Sequence, residues 1–475
     1  MFSHRGAAYL VALALLITTS AGLPARAQTP AGITVAARDG AAPAPTPDSP
    51  PGVAASTPAV SPVIARYFDP AQGASSSDLV RRALASNGEL AATRLDIERA
   101  RARLRQASLR PNPTVDFEQT TGRFTGSAGE SETSVGVAVP LEIGGKRRRR
   151  IEAAQIEIEA SEAEVADRSR RLAGEVLALH AEALAALREL EITQDLSDID
   201  QRTTAVVQAR VNEGDSAPIE LNLLRVEVER LRSRRALVEG RLRGALLRLK
   251  SLAGIPADEP LRLREGLDRP TLPRPPASLD AAVDIALRTR PDVRLARLTE
   301  EAAQAGLRLA RAEGRPEVTA FTKYTVSRGV FDDTPVGVLT DKDKLLSFGV
   351  SVSVPLFNRN QGAKAEAAVA VTQARTRREF LEQVVRSEVA DASARYEAAR
   401  EALLVFEQGV LARSKENIRV IRSAYEIGAF SVTELLSEQR RLVDSQREYT
   451  EALSEQYKAL ADLQQAMGAP LGPQQ

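Results

Sequence analysis

The sequence of this chain contains an internal duplication, which limits the folds that it can adopt. Ala83 and Leu84 open a pattern that returns at Ala286 and Leu287, and later landmarks of the pattern return in the same order. The two copies lie roughly 203 residues apart at their start and roughly 214 at their end. Because solenoid units repeat every 20 to 50 residues or so, this period predicts a duplicated half-molecule rather than a repeat array.

Each half is predicted to contain the same elements in the same order. The first repeat covers 76–254, the second covers 278–468, and a Pro-rich linker at 255–277 separates them. A helix of about 30 residues comes first, then two strands, a helix of about 65 residues, a turn and a returning helix. The strands are predicted near 114–124, 133–141, 317–328 and 346–356, and the long hairpins at 147–253 and 363–467.

The long helices require lateral partners. Sixty-five helical residues span about 100 Å, which is too long for the core of one globular domain. No proline interrupts either predicted helix, at 147–211 or 363–427. Apolar and Ala residues recur at the three-to-four spacing of a coiled-coil face, as Ala153, Ile156 and Ala160 do. The pattern predicts antiparallel helical hairpins, and a simple coiled-coil rod is the alternative.

The strands favour a membrane channel over a rod. Val350, Val352 and Val354 alternate with small or polar residues, and Val135 and Val137 begin the same alternation in the first half. A transmembrane barrel strand places apolar side chains toward lipid and small ones toward the lumen. A soluble hairpin packed on helices would alternate similarly. Since four strands would leave open edges in lipid, the membrane interpretation needs neighbouring chains, and three chains would give a twelve-stranded barrel. The predicted fold class is therefore mainly α with a small β part.

The N-terminus is typical of an exported protein. A weakly basic start and a short apolar stretch precede Ala25-Arg26-Ala27, so residues 1–27 are predicted to be a signal peptide cleaved between Ala27 and Gln28. Residues 28–75 are rich in Ala and Pro and are predicted to be disordered, and 469–475 form a short tail. No later stretch approaches the ~20 apolar residues of a spanning helix.

The composition excludes several classes of function. The formal net charge is +1, so no general positive field favours nucleic acid. The chain has no cysteine, and His180 is the only histidine of the predicted mature chain. One His and no Cys cannot form a selective transition-metal site, and no nucleophile–base or phosphate-binding motif is found. We therefore expect no enzymatic activity and no cofactor.

Three segments carry a resemblance to a known family. They are the two helix–helix turns, 213–221 and 425–436, and the strand–helix junction Pro140-Leu141-Glu142-Ile143-Gly144-Gly145-Lys146-Arg147. Over nearly all of 77–468 the chain resembles the TolC-like outer-membrane efflux proteins, and the Gly-Gly-Lys-Arg run is similar to the CzcC (cobalt–zinc–cadmium) branch. The resemblance implies a homotrimer in the outer membrane of a Gram-negative bacterium, in contact with lipid. It would be a passive conduit for an inner-membrane RND-type pump and a periplasmic adaptor, and its cargo would be heavy-metal cations.

The same resemblance implies roles for residues at the two turns. Gly214 with Ser216, and Gly428 with Ser431, match the tips that face the adaptor. The alternative for each glycine is a plain helix C-cap.

Three further residues match the family's closed periplasmic end. Glu220 and Glu434 match acidic residues that would form a cation-favouring ring in a trimer. Each also suits the start of a helix, Glu434 as part of a Ser-Val-Thr-Glu capping box. Tyr425 matches a tyrosine that helps to hold the channel shut, but Phe430 replaces its usual Arg partner. An apolar constriction, or ordinary packing of Tyr425, is the alternative.

Other functions remain open on the sequence. A conduit for drugs or for polypeptides of type I secretion is hard to distinguish from a metal conduit. A periplasmic adaptor or structural coiled coil is the alternative from another class, although an adaptor would contain one helical hairpin rather than two. The basic run at 146–150 could bind lipid phosphate or be a solvated face.

Overall fold

The structure is a computed structural model of the chain. It describes residues 61–124, 129–268, 272–331, 337 and 339–468. The predicted signal peptide with its cleavage site between Ala27 and Gln28, residues 28–60 and the tail 469–475 lie outside these residues.

Residues 61–75 are folded, so the prediction of disorder is wrong for this part of 28–75. A short 3-10 turn spans Ile64–Arg66, and Ile64 is buried in the main apolar core. The chain then pairs with the linker between the repeats: the amide of Asp69 donates to the carbonyl of Leu263 at 2.9 Å, and that of Ala74 to Arg262 at 2.8 Å. The average composition of the segment is rich in Ala and Pro and does not reveal the few apolar side chains at its end. Burial of these side chains offsets the loss of conformational entropy when the segment folds.

The helical arm of the first repeat is two helices rather than the single one predicted. Helix α1 spans Ser76–Ser86 and α2 spans Gly88–Ser108. Between them Asn87 has an extended backbone, and its side chain accepts a hydrogen bond from the amide of Leu90. Asn87 therefore ends one helix and caps the next.

The second repeat has the same break, at Arg290. Helix α5 spans Leu279–Thr289 and α6 spans Pro291–Glu313. Pro291 stands at the first position of α6, and a residue before proline is disfavoured in helical conformation. The duplication thus extends to the position of the break.

One antiparallel sheet contains a hairpin from each repeat, in the order β1-β2-β3-β4. Strands β3 and β4 have 15 residues each, whereas β1 has 8 and β2 has 11. The longer second hairpin accounts for the larger spacing between the repeats at their end. The strands are β1 Thr114–Thr121, β2 Ser131–Leu141, β3 Glu317–Phe331 and β4 Leu339–Ser353.

The long hairpins follow the strands in both repeats. In the first, α3 spans Lys146–Glu213 and α4 returns over Pro218–Leu252. The 68 residues of α3 are about 100 Å long. In the second, the predicted continuous helix is interrupted by one π-helical turn at Phe406–Val410. That turn divides α7, Gln361–Val405, from α8, Leu411–Glu426, and α9 returns over Val432–Met467.

The basic run at the start of α3 fixes the junction between strand and helix. Gly144 and Gly145 have φ of 74° and 76°, a left-handed conformation that glycine adopts without steric cost. The chain then turns so that Arg147 Nε donates to the Ser108 carbonyl at 2.8 Å and Arg150 Nε to the Ala107 carbonyl at 3.0 Å. These carbonyls end α2, whose negative pole favours cations. Much of this run therefore serves the fold.

Candidate gate at the hairpin tips

Two glycines form the tips of the hairpins. Gly214 ends α3 with φ 86°, and the amide of Asp215 donates back to the Arg210 carbonyl at 2.8 Å. Gly428 follows α8 with φ 77°, and the amide of Ala429 donates to the Ala424 carbonyl at 2.9 Å. Both tips use the left-handed residue that lets a helix stop and the chain reverse.

The helices that return from the tips begin with different caps. Pro218 opens α4, and Glu220 lies in its first turn, half-buried. Ser431 opens α9 with the predicted capping box: its amide donates to Glu434 Oε2 at 2.8 Å, and its hydroxyl accepts from the amide of Glu434. The hydrogen bonds from the Ser431 amide and hydroxyl lower the pKa of Glu434. Glu434 thus has a structural partner at its own helix end.

An apolar cluster packs the two tips on each other. Its buried members come from α3 and α4 of the first hairpin and from α8 and α9 of the second. Separation of the two hairpins at this shared core would expose apolar side chains to water, which is unfavourable. The cluster consists of Val207, Leu221, Leu224, Ile418, Tyr425, Val432, Leu435 and Leu436.

Tyr425 is the polar member of this cluster. Its hydroxyl is buried and makes no hydrogen bond of good geometry in the described part of the chain, although the Arg210 side chain lies close to it. Burial raises the pKa of Tyr425, the Glu220 carboxylate adds to the rise, and the Arg210 guanidinium opposes it. The structure therefore brings Tyr425 and Glu220 into one electrostatic neighbourhood.

Arg210 is the tip residue that the sequence did not single out. Its guanidinium donates to the Glu426 carbonyl at 3.3 Å, which links α3 of one hairpin to α8 of the other. The second repeat carries Phe430 where an Arg beside Tyr425 was expected, and the first hairpin supplies an Arg instead. Since Arg210 has no basic counterpart in the second repeat, the repeat pattern gave no signal for it.

Gly214, Gly428, Ser431 and Glu434 are exposed, and Ser216 is half-exposed. Within the described residues, the hydrogen bonds of the Glu434 carboxylate go to Ser431, so Glu434 is not part of the group around Tyr425.

The sheet has two chemically different faces, as the strand alternation predicted. The register aligns Val115 with Val137, Val137 with Thr322 and Thr322 with Phe348. The valines of the strand alternation lie on that face, together with Phe348. Phe321 pairs with Gly349 on the opposite face.

Charged groups occupy the opposite face of the sheet. Asp116 aligns with Gly136, and Gly136 aligns with Lys323. Lys323 Nζ lies 3.0 Å from Glu118 Oε2. One face is thus suited to lipid and the other to water.

Among the described helices, none combines the length and apolar character needed to cross a membrane. Over the same described residues, no group of three or more His, Asp or Glu side chains is arranged to hold a metal ion.

A duplicated protomer with two long helical hairpins, joined at their tips, and a four-stranded sheet with one apolar face defines the TolC-like channel class. The model of the outer membrane efflux protein family matches residues 79–255 and 282–469. The chain belongs to this family. It is therefore a protomer of a trimeric outer-membrane efflux channel of Gram-negative bacteria, a passive conduit that works with an adaptor and an inner-membrane pump, and not an enzyme.

Similar proteins include one named for cobalt-zinc-cadmium resistance and one named for cation efflux. The chain is 25% identical over 388 residues to the cobalt-zinc-cadmium resistance protein CzcC of Cupriavidus metallidurans, covering 81% of this chain and 88% of that one. It is 24% identical over 372 residues to the cation efflux system protein CusC of Escherichia coli K12, covering 77% and 80%. A crystal structure of CusC matches with a TM-score of 0.69 at 23% identity, over 83% of this chain and 92% of that chain.

Proposed function

We propose that this chain forms the outer-membrane conduit of a system that exports heavy-metal cations. The observation that carries the proposal is the similarity to a cobalt-zinc-cadmium resistance protein over most of both chains. The similarity to a cation efflux system protein supports it independently. The pump partner we propose is an inner-membrane transporter of the RND type, with a periplasmic adaptor between the two.

Three copies would complete the channel in the outer membrane. The described sheet ends at β1 on one side and at β4 on the other, and each edge has unpaired backbone groups that lipid does not tolerate. Joining the β4 edge of one copy to the β1 edge of the next gives twelve strands in a closed barrel. Phe348, 84% exposed, and Val350, 60% exposed, would then contact lipid.

The hairpin tips would form the periplasmic gate. Tyr425, with Arg210 and Glu220 around it, would hold the two hairpins together, and copies of Glu220 and Glu434 would favour cations at the constriction. The adaptor would bind the exposed tips, at Gly214 and Ser216 in the first hairpin and at Gly428 and Ser431 in the second. Small side chains there allow a partner helix to approach the backbone closely.

Deletion of the gene tests the substrate. We expect the deletion strain to lose tolerance to zinc, cobalt, nickel or cadmium, and a plasmid copy to restore it, while tolerance to a panel of drugs stays unchanged. Lost drug tolerance with intact metal tolerance would overturn the metal assignment and favour a drug conduit.

Fractionation tests the channel itself. We expect a heat-sensitive trimer in the outer-membrane fraction. A water-soluble periplasmic monomer would contradict the conduit and favour an adaptor or a structural coiled coil.

A further inference from the structure

A buried carboxyl lies between the two hairpins, on the side of the tips that leads toward the sheet. Asp200 is on α3, roughly 20 Å along the helix from Gly214. Its side chain is inaccessible to solvent, and it lines a cavity of about 140 Å³ with residues of α4 and α9. Among them is Gln439 of α9, which is 4% exposed. Asp200 thus stands where the first hairpin packs on the second.

Asp200 lacks the partners that a buried carboxylate needs. Neither of its oxygens makes a hydrogen bond of good geometry in the described part of the chain, and the same holds for Oε1 of Gln439. The Gln439 side-chain amide lies close enough to favour the ionised form of Asp200, but it carries no charge that would compensate the carboxylate. A buried ionised carboxylate without partners is strongly unfavourable, and a buried protonated carboxyl is far less so.

The charged groups around Asp200 leave its own charge uncompensated. Two arginines that line the cavity are ion-paired with Glu227 of α4 rather than with Asp200, since Arg440 lies 2.8 Å and Arg230 lies 3.8 Å from Oε2 of Glu227. The charged groups that face Asp200 are Glu227, Arg230 and Arg234 of α4, Arg422 of α8, and Arg440 and Asp444 of α9.

Together, these effects keep the Asp200 carboxyl protonated at mildly acidic pH. Burial raises the pKa of Asp200 to about 6, and the Glu227 carboxylate adds to the rise, while Gln439 and the Arg422 guanidinium oppose it. The carboxyl is therefore neutral at pH 5 and ionised at pH 7.5.

We propose that Asp200 is a proton-controlled latch between the two hairpins. When it is protonated, α3 and α9 pack around the cavity without an unpaired charge. When it loses the proton, a negative charge beside Glu227 is stabilised only if water enters, so the hairpins separate locally more often. If the tips are the gate, which rests on the proposed function, a rise in pH loosens the helices that hold it shut.

Hydrogen exchange of the full chain in detergent tests the latch. The readout is the exchange rate of peptides within 193–207 and 432–446 at pH 5 and pH 7.5, corrected for the intrinsic pH dependence of exchange. We take the pKa of Asp200 as 3.8 when the hairpins are locally separated and as about 6 when they are packed. The equilibrium constant for local separation should then increase about tenfold from pH 5 to pH 7.5. Equal corrected rates at the two pH values would overturn the proposal.

Three variants separate the latch from general effects of pH. Asp200→Asn, which is neutral at all pH values, should exchange slowly at both. Glu227→Gln removes the neighbouring negative charge and should shrink the tenfold change. Asp198→Asn is the matched control, because the Asp198 carboxylate is half-buried and accepts a hydrogen bond from Gln194 at 2.8 Å. It should keep the tenfold change, and a tenfold change that persists in Asp200→Asn would refute the latch.

Conductance of the reconstituted protein gives a separate readout for the proposed function. A preparation that shows no channels at either pH would count against the conduit. The exchange rates decide on the latch independently, because they need neither a pump nor an intact barrel.

Discussion

Nδ1 of His180 lies 3.3 Å from the hydroxyl oxygen of Tyr457, and both side chains are buried. His180 is on α3 of the first repeat and Tyr457 on α9 of the second, so this contact joins the two halves of the duplication. Burial lowers the pKa of His180 to about 4 and raises that of Tyr457. Both groups are therefore neutral at the pH of a neutral periplasm.

His180 should make the protein sensitive to acid. Its pKa is about 4 in the folded state and about 6.5 when unfolded, so the unfolded state binds more protons between these values. Stability is then lost as pH falls from about 6.5 to 4, by about 3 kcal/mol over the whole range. Between pH 7 and pH 4.5, the melting temperature of His180→Leu should fall less than that of the native protein. Far-UV circular dichroism in detergent measures both melting temperatures.

The control for this prediction is Tyr457→Phe. It leaves His180 buried but removes the hydrogen bond, so it should lower stability at all pH values by about 1 kcal/mol and keep the acid sensitivity. If His180→Leu loses as much stability in acid as the native protein, the assignment to His180 is wrong.

Arg290 should be the most costly arginine to remove among those at the helix break between α5 and α6. It is 3% exposed, lies 2.6 Å from Asp292 and 2.7 Å from Glu388, and donates to the Ala466 carbonyl at 3.0 Å. Arg290→Met removes the nearest charged partner of the largely buried Asp292 carboxylate, which keeps Arg170 at 3.7 Å, and it removes the donor to the end of α9. We expect a loss of about 3–5 kcal/mol in unfolding free energy, measured by urea denaturation in detergent.

Arg288 is a matched control two residues away. It is 80% exposed and lies 3.6 Å from Asp284, which is also exposed. Arg288→Met should change stability by less than about 0.5 kcal/mol, because exposed ion pairs contribute little. Similar losses in the two variants would mean that burial of the Arg290 network is not what stabilises this break.

Periodicity accounts for what the sequence predicted well. The alternation of Val350 and Val352 indicated one apolar sheet face, and the register confirms it, because both residues lie on the face of Phe348. Prolines and glycines mark most helix ends, and Pro291 marks the break in the second helical arm, which is predicted as one helix. Asn87, the counterpart of Arg290, gave a weaker signal because Asn is also tolerated inside helices.

Contacts between the repeats could not be predicted in this way. Periodicity shows which face of a helix is apolar, but not which helix it meets. Arg210 near Tyr425 and Asp200 near Gln439 are both contacts between different hairpins, and residues of the two repeats do not match at these positions. The polar groups of the candidate gate therefore became visible only in three dimensions.

Gly214 should be sensitive to the smallest substitution. A Cβ at this position would meet no neighbouring atom, so the only cost of Gly214→Ala is the left-handed backbone, φ 86°. That cost is about 1–2 kcal/mol. Gly240 inside α4 also has open space around it, and there Ala should stabilise the helix by about 0.5–1 kcal/mol. Melting temperatures that shift in the same direction for both variants would contradict this account.

The two faces of the sheet should respond differently to a positive charge. Phe348→Lys places an ammonium on the apolar face, where lipid contact would cost about 2–4 kcal/mol near the middle of the membrane. Ser347→Lys places it on the face of Lys323 and Asp116, with which Ser347 aligns. We expect the first variant to lose the heat-sensitive outer-membrane trimer on a gel and the second to keep it. Equal trimer yields would argue against lipid contact at Phe348.

Removal of the Arg210 side chain should make the proposed gate at the tips open more easily. The Arg210 guanidinium donates to the Glu426 carbonyl at 3.3 Å and offsets the effect of Glu220 on Tyr425, so Arg210→Ala removes one link between the hairpins in each chain. At about 0.5–1 kcal/mol for each link, and with three links in a trimer, single-channel recordings in a planar bilayer should show openings roughly ten to a hundred times more frequent. Arg202 is the control, because it lies on the same helix, is exposed and donates to the Asp198 carbonyl of its own helix at 3.1 Å. Arg202→Ala should open as rarely as the native channel, and equal opening in the two variants would show that the Arg210 link does not restrain the tip.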